Sequence, residues 1–235
     1  MDVTNINRTF FFDQVRSRLF GGKLSASQAN GLGAILDNWE RDRAKQDDRW
    51  LAYALATTYH ETAFTMQPIN EKGGPMYFFS MYDKDGDRPK VAARLGNTAK
   101  GDGVRFHGRG YVQLTGRTNY RKAGRLVEAD LLNDANLALD PTIAGKILFT
   151  GMETGLFTTK KFGDYFNKST EDWINARRII NGLDKAPHIA DYDRKFYGAI
   201  SARPDRSGYP RANFLYLMRF GITASSPSRR FLSSS

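Results

Sequence analysis

Apolar positions recur through most of this chain at helical spacing, about 3.6 residues per turn. Residues 5–20 predict a short helix ending near Phe20, with Gly21-Gly22 as its stop. Ser25-Ala26-Ser27-Gln28 has capping-box spacing and opens a second helix whose Leu32, Ile35, Leu36 and Trp39 share one face. The charged stretch 40–49 reads as a solvated turn. In residues 50–58, Leu51, Ala54, Leu55 and Thr58 form a core-facing stripe, and Glu61 continues it. Pro68 breaks any helix, Ile69-Asn70-Glu71 reads as a short extended piece, and Gly73-Gly74-Pro75 as a turn.

Farther on, residues 91–110 are glycine-rich and predicted irregular, while 111–115 alternate like a short strand. Helical periodicity resumes from Asn119. Asp140 and Pro141 suit the cap and first position of a helix carrying Ile143, Ile147, Leu148 and Met152 as its buried stripe. Residues 171–180, stopped by Asn181-Gly182, and residues 188–200 predict two more helices.

Composition narrows the function. At 235 residues, 40% hydrophobic and 13% aromatic, the chain suits one folded domain over 1–200. A basic extension over 201–235 carries six Arg against a single Asp and ends in a Ser-rich run. It is expected either to pack on the domain or to act as a basic amphipathic element against an outer membrane. No apolar run approaches the roughly 18 residues that span a bilayer, and the first residues hold no signal-peptide core. Synthesis in a cytoplasm without export of its own is the expectation. Zero cysteines exclude disulfides and thiol chemistry, and a net charge of +10 favours an anionic partner. Nucleic acid is not expected, because no DNA-binding motif or Lys/Arg block is present.

Metal chemistry also finds little support. A zinc-protease reading of His60-Glu61 needs a second histidine at position 64, where Phe64 stands. A calcium loop counted from Asp83 needs Gly at 88 and Glu at 94, where Arg88 and Arg94 stand. No metal or cofactor is expected. What remains is a pair of carboxylates, Glu61 and Glu71, ten residues apart on separate elements. Two such groups facing one cleft are the minimum apparatus for glycosidic hydrolysis, one as acid and one activating water. On spacing alone, Glu61 reads first as a solvated or salt-bridged residue at a helix end. Gln113, Thr115, Asn119 and Tyr120 supply the short polar and amide groups that a sugar site needs.

Three stretches carry a resemblance. Residues 59–69 with Glu71, residues 108–120 (Gly-Arg-Gly-Tyr-Val-Gln-Leu-Thr-Gly-Arg-Thr-Asn-Tyr) and residues 176–182 resemble, in order, signatures of phage and prophage lysins of glycoside hydrolase family 19, the chitinase-like group. The resemblance implies a mainly α (α+β), lysozyme-like fold of two helical lobes with a small β element at the cleft. It also implies that Glu61 is the general acid, Glu71 the second catalytic carboxylate and Thr115 the hydroxyl that helps hold water. Gln113, Asn119, Tyr120, Asn181 and Arg194 would contact sugar. Plant-type members carry their second glutamate farther from the first and have disulfides, so Asp83, Asp85 and Asp87 stand as alternatives to Glu71.

The expected activity is inverting hydrolysis of β-1,4 bonds in peptidoglycan by a monomeric, muramidase-type endolysin. Such an enzyme would reach the periplasmic wall after holin-dependent release, with its charge also favouring anionic outer-membrane lipid. Inversion implies a carboxyl separation of about 6.5–9.5 Å. A chitinase and a non-catalytic glycan-binding virion protein are the alternatives.

Overall fold

The computed structural model describes residues 6–201, 203–204 and 210–211. It is mostly helical, with 59% helix and 4% strand, as the lysozyme-like resemblance implies. The first helix, α1 (Arg8–Arg18), is capped by Asn7, and α2 (Ala26–Arg43) by a complete Ser25–Gln28 capping box. Next comes α3 (Asp48–Glu61), in which every residue from Leu51 to Tyr59 is buried, so the expected stripe has widened to the whole circumference. β1 (Ile69–Asn70) pairs antiparallel with β2 (Arg109–Gly110), and between them lie three short helices, α4 (Pro75–Tyr82), α5 (Pro89–Leu95) and α6 (Asp102–Arg105). α7 (Arg117–Val127), α8 (Pro141–Thr154) and α9 (Ala186–Ile200) complete the helical part.

In the larger lobe α3 packs on α9, α9 on α1, and α2 on α8, which also supports α7. Phe11, Leu32, Trp39, Leu55, Phe149 and Phe196 belong to one continuous buried cluster. Burying a leucine such as Leu51 or Leu55 is worth about 1.5–3 kcal/mol relative to exposure. The smaller lobe, α4 to α6, holds its own apolar residue Phe78 outside that cluster and is joined to α7 by polar contacts. Arg117 pairs with buried Asp102, and Asn97 accepts from the Arg117 backbone while donating to the Tyr82 carbonyl. These bonds fix the segment 106–119 that runs between the lobes.

The structure departs from the sequence reading at four places. α2 continues to Arg43, which binds Glu153 (2.7 Å) and Thr150 Oγ1 (2.9 Å), so the solvated turn is confined to residues 44–47. Pro75 starts a helix at its first turn rather than only closing a turn, and the stretch 91–110, predicted irregular, holds most of α5 and all of α6. Residues 111–115 form no strand: Arg109 and Leu114 exchange backbone hydrogen bonds around a tight loop with Gln113 at φ 54°. Residues 171–180 yield only a 3-10 turn over Asn175–Ile179. Asp172 there binds both the backbone and side-chain nitrogens of Asn175, offering the chain a local alternative to a helix. Of the expected extension, only β3 (Arg203–Pro204) paired with β4 (Pro210–Arg211) is described; the rest of that expectation lies outside the described residues.

Candidate active site

Glu61 is the last residue of α3, and the chain leaves it abruptly. Thr62 is fully buried, donating to the Thr58 carbonyl (2.7 Å) and accepting from the Met66 amide (3.1 Å). Ala63, Phe64 and Met66 all adopt left-handed φ of 49–69°. Such conformations cost of order 1–3 kcal/mol each for non-glycine residues and concentrate at functional sites. The turn seats against α2 at Gly31, where a Cβ would come within 2.0 Å of the Met66 carbonyl oxygen. Only glycine permits that approach.

The Glu61 side chain is 20% exposed and faces Arg177, itself only 3% exposed, with Nη1 2.9 Å from Oε1. Arg177 Nη1 and Nε make no aligned hydrogen bond among the described residues, so the contact is an ion pair. Of the two readings open for Glu61, a cleft acid or a salt-bridged helix end, the structure supplies the salt bridge while leaving the carboxylate partly open to solvent. Arg177 escaped the sequence reading. Its one signal was the pair Arg177-Arg178 set between Ala176 and Ile179, both fully buried.

Behind this pair lies a buried polar group. Asp193 on α9 is fully buried, and neither of its oxygens has a hydrogen-bond partner among the described residues. Desolvation pushes its carboxyl well above the usual range, against the opposing pull of Arg194 and Arg177. Burial likewise raises the Tyr53 hydroxyl beside it. With Glu61 already balancing Arg177, a proton on Asp193 leaves the interior without an excess anion. Folding therefore takes up a proton here, and stability falls as pH rises from the unfolded carboxyl value, about 3.9, toward the folded one. Asp193→Asn is expected to match the parent below pH 4 and to have a Tm higher by about 2–4 °C at neutral pH. Thermal melts from pH 3 to 8 check this; a loss of Tm at neutral pH that shrinks toward pH 3 would show that Asp193 is needed as an anion.

Glu71 belongs to a second group. Its backbone amide donates to the Gly108 carbonyl (2.8 Å), and the Gly108 amide returns a bond to Glu71 Oε2 (3.0 Å). Tyr82 donates its hydroxyl to Oε1 at 2.7 Å. Desolvation and then the bond to Glu71 push the Tyr82 phenol far above its ordinary value, so it remains a donor at any working pH. Both carboxylate oxygens thus accept, the arrangement an anionic carboxylate makes. A Cβ at Gly108 would lie 3.0 Å from both Glu71 Oε2 and Gln113 Oε1, so the missing side chain lets these two groups converge.

From there the contacts run on. Gln113 donates to the Ile69 and Gly110 carbonyls, Thr115 Oγ1 to the Gln113 carbonyl (2.8 Å), and Asn119 Nδ2 to the Thr115 carbonyl (2.9 Å). Gln113, Thr115 and Asn119 are therefore one connected set, and Glu71 stands beside it at Gly108. Tyr120 is not part of it. It is fully buried, accepting from Arg109 and donating to the His107 carbonyl (2.8 Å), because one residue beyond Asn119 the helix turns its side chain by about 100° into the core. The expectation of a sugar contact at Tyr120 is corrected to a structural role.

The remaining expected residues lie on the Arg177 side. Asn181 is exposed, its amide bound to the Arg177 carbonyl (3.0 Å), and Arg194 is half-buried next to Asp193. Asp83 is buried and accepts from the amides of Gly101 and Gly103, which makes it a brace of the small lobe. Asp85 pairs with Lys84 and Asp87 with Ser80. No group of three or more potential metal ligands occurs among the described residues.

Residues 26–154, over half the chain, match the glycoside hydrolase 19 family model, chitinase class I. That span includes Glu61, Glu71, Gln113, Thr115 and Asn119 but stops short of Arg177. The chain is 29% identical over 124 residues to an endochitinase of Persea americana, covering 52% of this chain and 36% of that protein. It is 35% identical over 105 residues to endochitinase 1 of Theobroma cacao, covering 43% and 32%. The chain thus spans about a third of the length of these curated relatives. Among solved structures it is similar to a bacterial family 19 chitinase, at TM-score 0.52 and 21% identity, over 86% of this chain and 97% of that one. Chitinase C of Streptomyces griseus gives TM-score 0.54 and 17% identity over 84% and 93%. These last two likenesses bear on the fold.

Proposed function

The chain belongs to glycoside hydrolase family 19, and from that premise we propose that it cleaves β-1,4 glycosidic bonds of peptidoglycan by an inverting, two-carboxylate mechanism. The observation that carries this reading is the connected set Gln113–Thr115–Asn119 with Glu71 beside it at Gly108, and Glu61 at the end of the buried helix ten residues earlier in the chain. Glu61, in the protonated form that releases the ion pair seen with Arg177, gives its proton to the glycosidic oxygen as the bond breaks. The carboxylate so formed stands against Arg177, which stabilises the charge as it develops. Glu71 takes a proton from the attacking water. The Thr115 hydroxyl, having donated to the Gln113 carbonyl, keeps its lone pairs for that same water.

Peptidoglycan is preferred as substrate because the net charge of +10 opposes an anionic wall polymer. In this reading the protein is a phage-type endolysin acting on the periplasmic wall after release from the cytoplasm. Chitin oligomers are the second reading, favoured by the names of the plant relatives. A purely glycan-binding role leaves the organised bonds around Glu71 without a use.

Digestion of purified peptidoglycan and of chitohexaose, followed by mass spectrometry and early-time NMR of the new reducing ends, tests the proposal. The expected result is disaccharide-peptides with muramic acid at the reducing end, released first as the α anomer. Cleavage of chitohexaose with no wall products would select the chitinase reading. A β anomer appearing first would overturn inversion.

A further inference from the structure

Beyond Asn119 the structure opens into a groove of about 650 Å³. One wall is the outer face of α7, where Asn119, Lys122, Arg125 and Leu126 follow one another at helical spacing. The other is the segment 154–159 that leaves α8, including Phe157 and Thr158. Each wall is tied to one of the two groups already described. Asn119 is bonded to Thr115. Thr158 Oγ1 donates to the carbonyls of Arg178 (2.5 Å) and Ile179 (3.0 Å), in the turn that carries Arg177. One wall of the groove thus starts at Asn119, beside Thr115, and the other is held against the turn that carries Arg177.

Its charge is uneven. Lys122 and Arg125 are exposed and form no ion pair or hydrogen bond among the described residues, and no acidic side chain lines the groove. A neutral N-acetylglucosamine chain offers these cations no counter-charge. A wall glycan does, because the peptide stem on its muramic acid residues ends in free carboxylates and bears methyl groups that suit Leu126 and Phe157.

We propose that this groove is a subsite for the carboxylate-bearing peptide stem of a wall glycan, with Lys122 and Arg125 as the specificity-determining cations. The inference rests on the hydrolase reading above and deepens it. It assigns substrate preference to residues on the rim of the site rather than to the carboxylates.

The test is the double variant Lys122→Gln/Arg125→Gln, assayed on soluble peptide-bearing glycan fragments with free stem carboxylates and on the same fragments after amidation. The ratio of kcat/KM, free over amidated, is expected to fall roughly fivefold to tenfold in the variant. Added NaCl is expected to lower the parent's ratio in the same direction. An unchanged ratio overturns the proposal. Binding of N-acetylmuramyl dipeptide, followed by NMR titration, needs no turnover: weaker binding to the variant supports the subsite, while equal binding or none to the parent overturns it. A parent that binds the dipeptide but cuts no glycan would refute the hydrolase reading alone. A parent that cuts both fragment types equally would refute this subsite alone.

Discussion

Glu61→Gln is expected to lower turnover on every glycan substrate by about 10²–10⁴-fold, the usual worth of a positioned general acid. The change keeps the shape of the side chain but removes the proton that the leaving oxygen must receive. It also removes the counter-charge of Arg177, which is nearly inaccessible to water. Breaking a buried pair by deleting one partner costs about 3–5 kcal/mol, but Glu61 retains contact with solvent, so only a fraction of that applies. Loss of activity and modest loss of Tm should therefore occur together, and a second variant separates them. In Glu61→Gln/Arg177→Met the unpaired cation is gone, so Tm is expected to recover while activity does not. Recovery of both would mean that Glu61 serves only to neutralise Arg177. Full activity in the single variant would exclude it as the acid.

The same pair shows where sequence reading reaches its limit. The stripe from Leu51 to Thr58 pointed to a core-facing helix, and Glu61 extended it, so a carboxylate at the core's edge was legible from periodicity. Its partner was not, because Arg177 lies 116 residues away in a stretch read as an ordinary helix. The Ser25 box, the Asp140–Pro141 cap and the extended piece at Ile69 were legible because each is decided by residues within a turn of one another. The small lobe was misread for a tertiary reason. Its helices α4 to α6 are only 4–8 residues long and are held by Asp83, which accepts from the Gly101 and Gly103 amides, and by Asp102, which pairs with Arg117, across chain separations that no local window spans.

Tyr120 failed differently. It stands beside Asn119 in the signature, and adjacency in sequence says nothing about facing on a helix. The signature contains both kinds of residue: Gln113, Thr115 and Asn119 join the connected set, while Arg109 and Tyr120 bind each other beneath it. Gly108 shows the same mixture in one position. It read as part of an irregular, glycine-rich stretch, yet its missing side chain leaves the room into which both Glu71 and Gln113 reach.

That convergence leads to the second large effect. Glu71→Gln is expected to reduce hydrolysis by about 10²–10³-fold, because an amide cannot take the proton of the attacking water. The substitution is not silent for structure. An amide has one accepting oxygen in place of two, so either the Tyr82 hydroxyl or the Gly108 amide loses its acceptor, at a cost of about 1–3 kcal/mol. Tyr82→Phe isolates that structural part: it removes the same hydrogen bond, keeps the carboxylate, and is expected to retain most activity. The chemical part is isolated by azide, an anion that attacks without first losing a proton. Azide bonds to the sugar carbon as the glycosidic bond breaks, and Glu61 still protonates the departing oxygen. Azide should therefore restore turnover to Glu71→Gln and give a glycosyl azide of inverted configuration, while leaving Glu61→Gln inactive. If azide rescues neither variant and Tyr82→Phe is as damaged as Glu71→Gln, Glu71 is a brace for the Gly108 turn and the water is activated by another group.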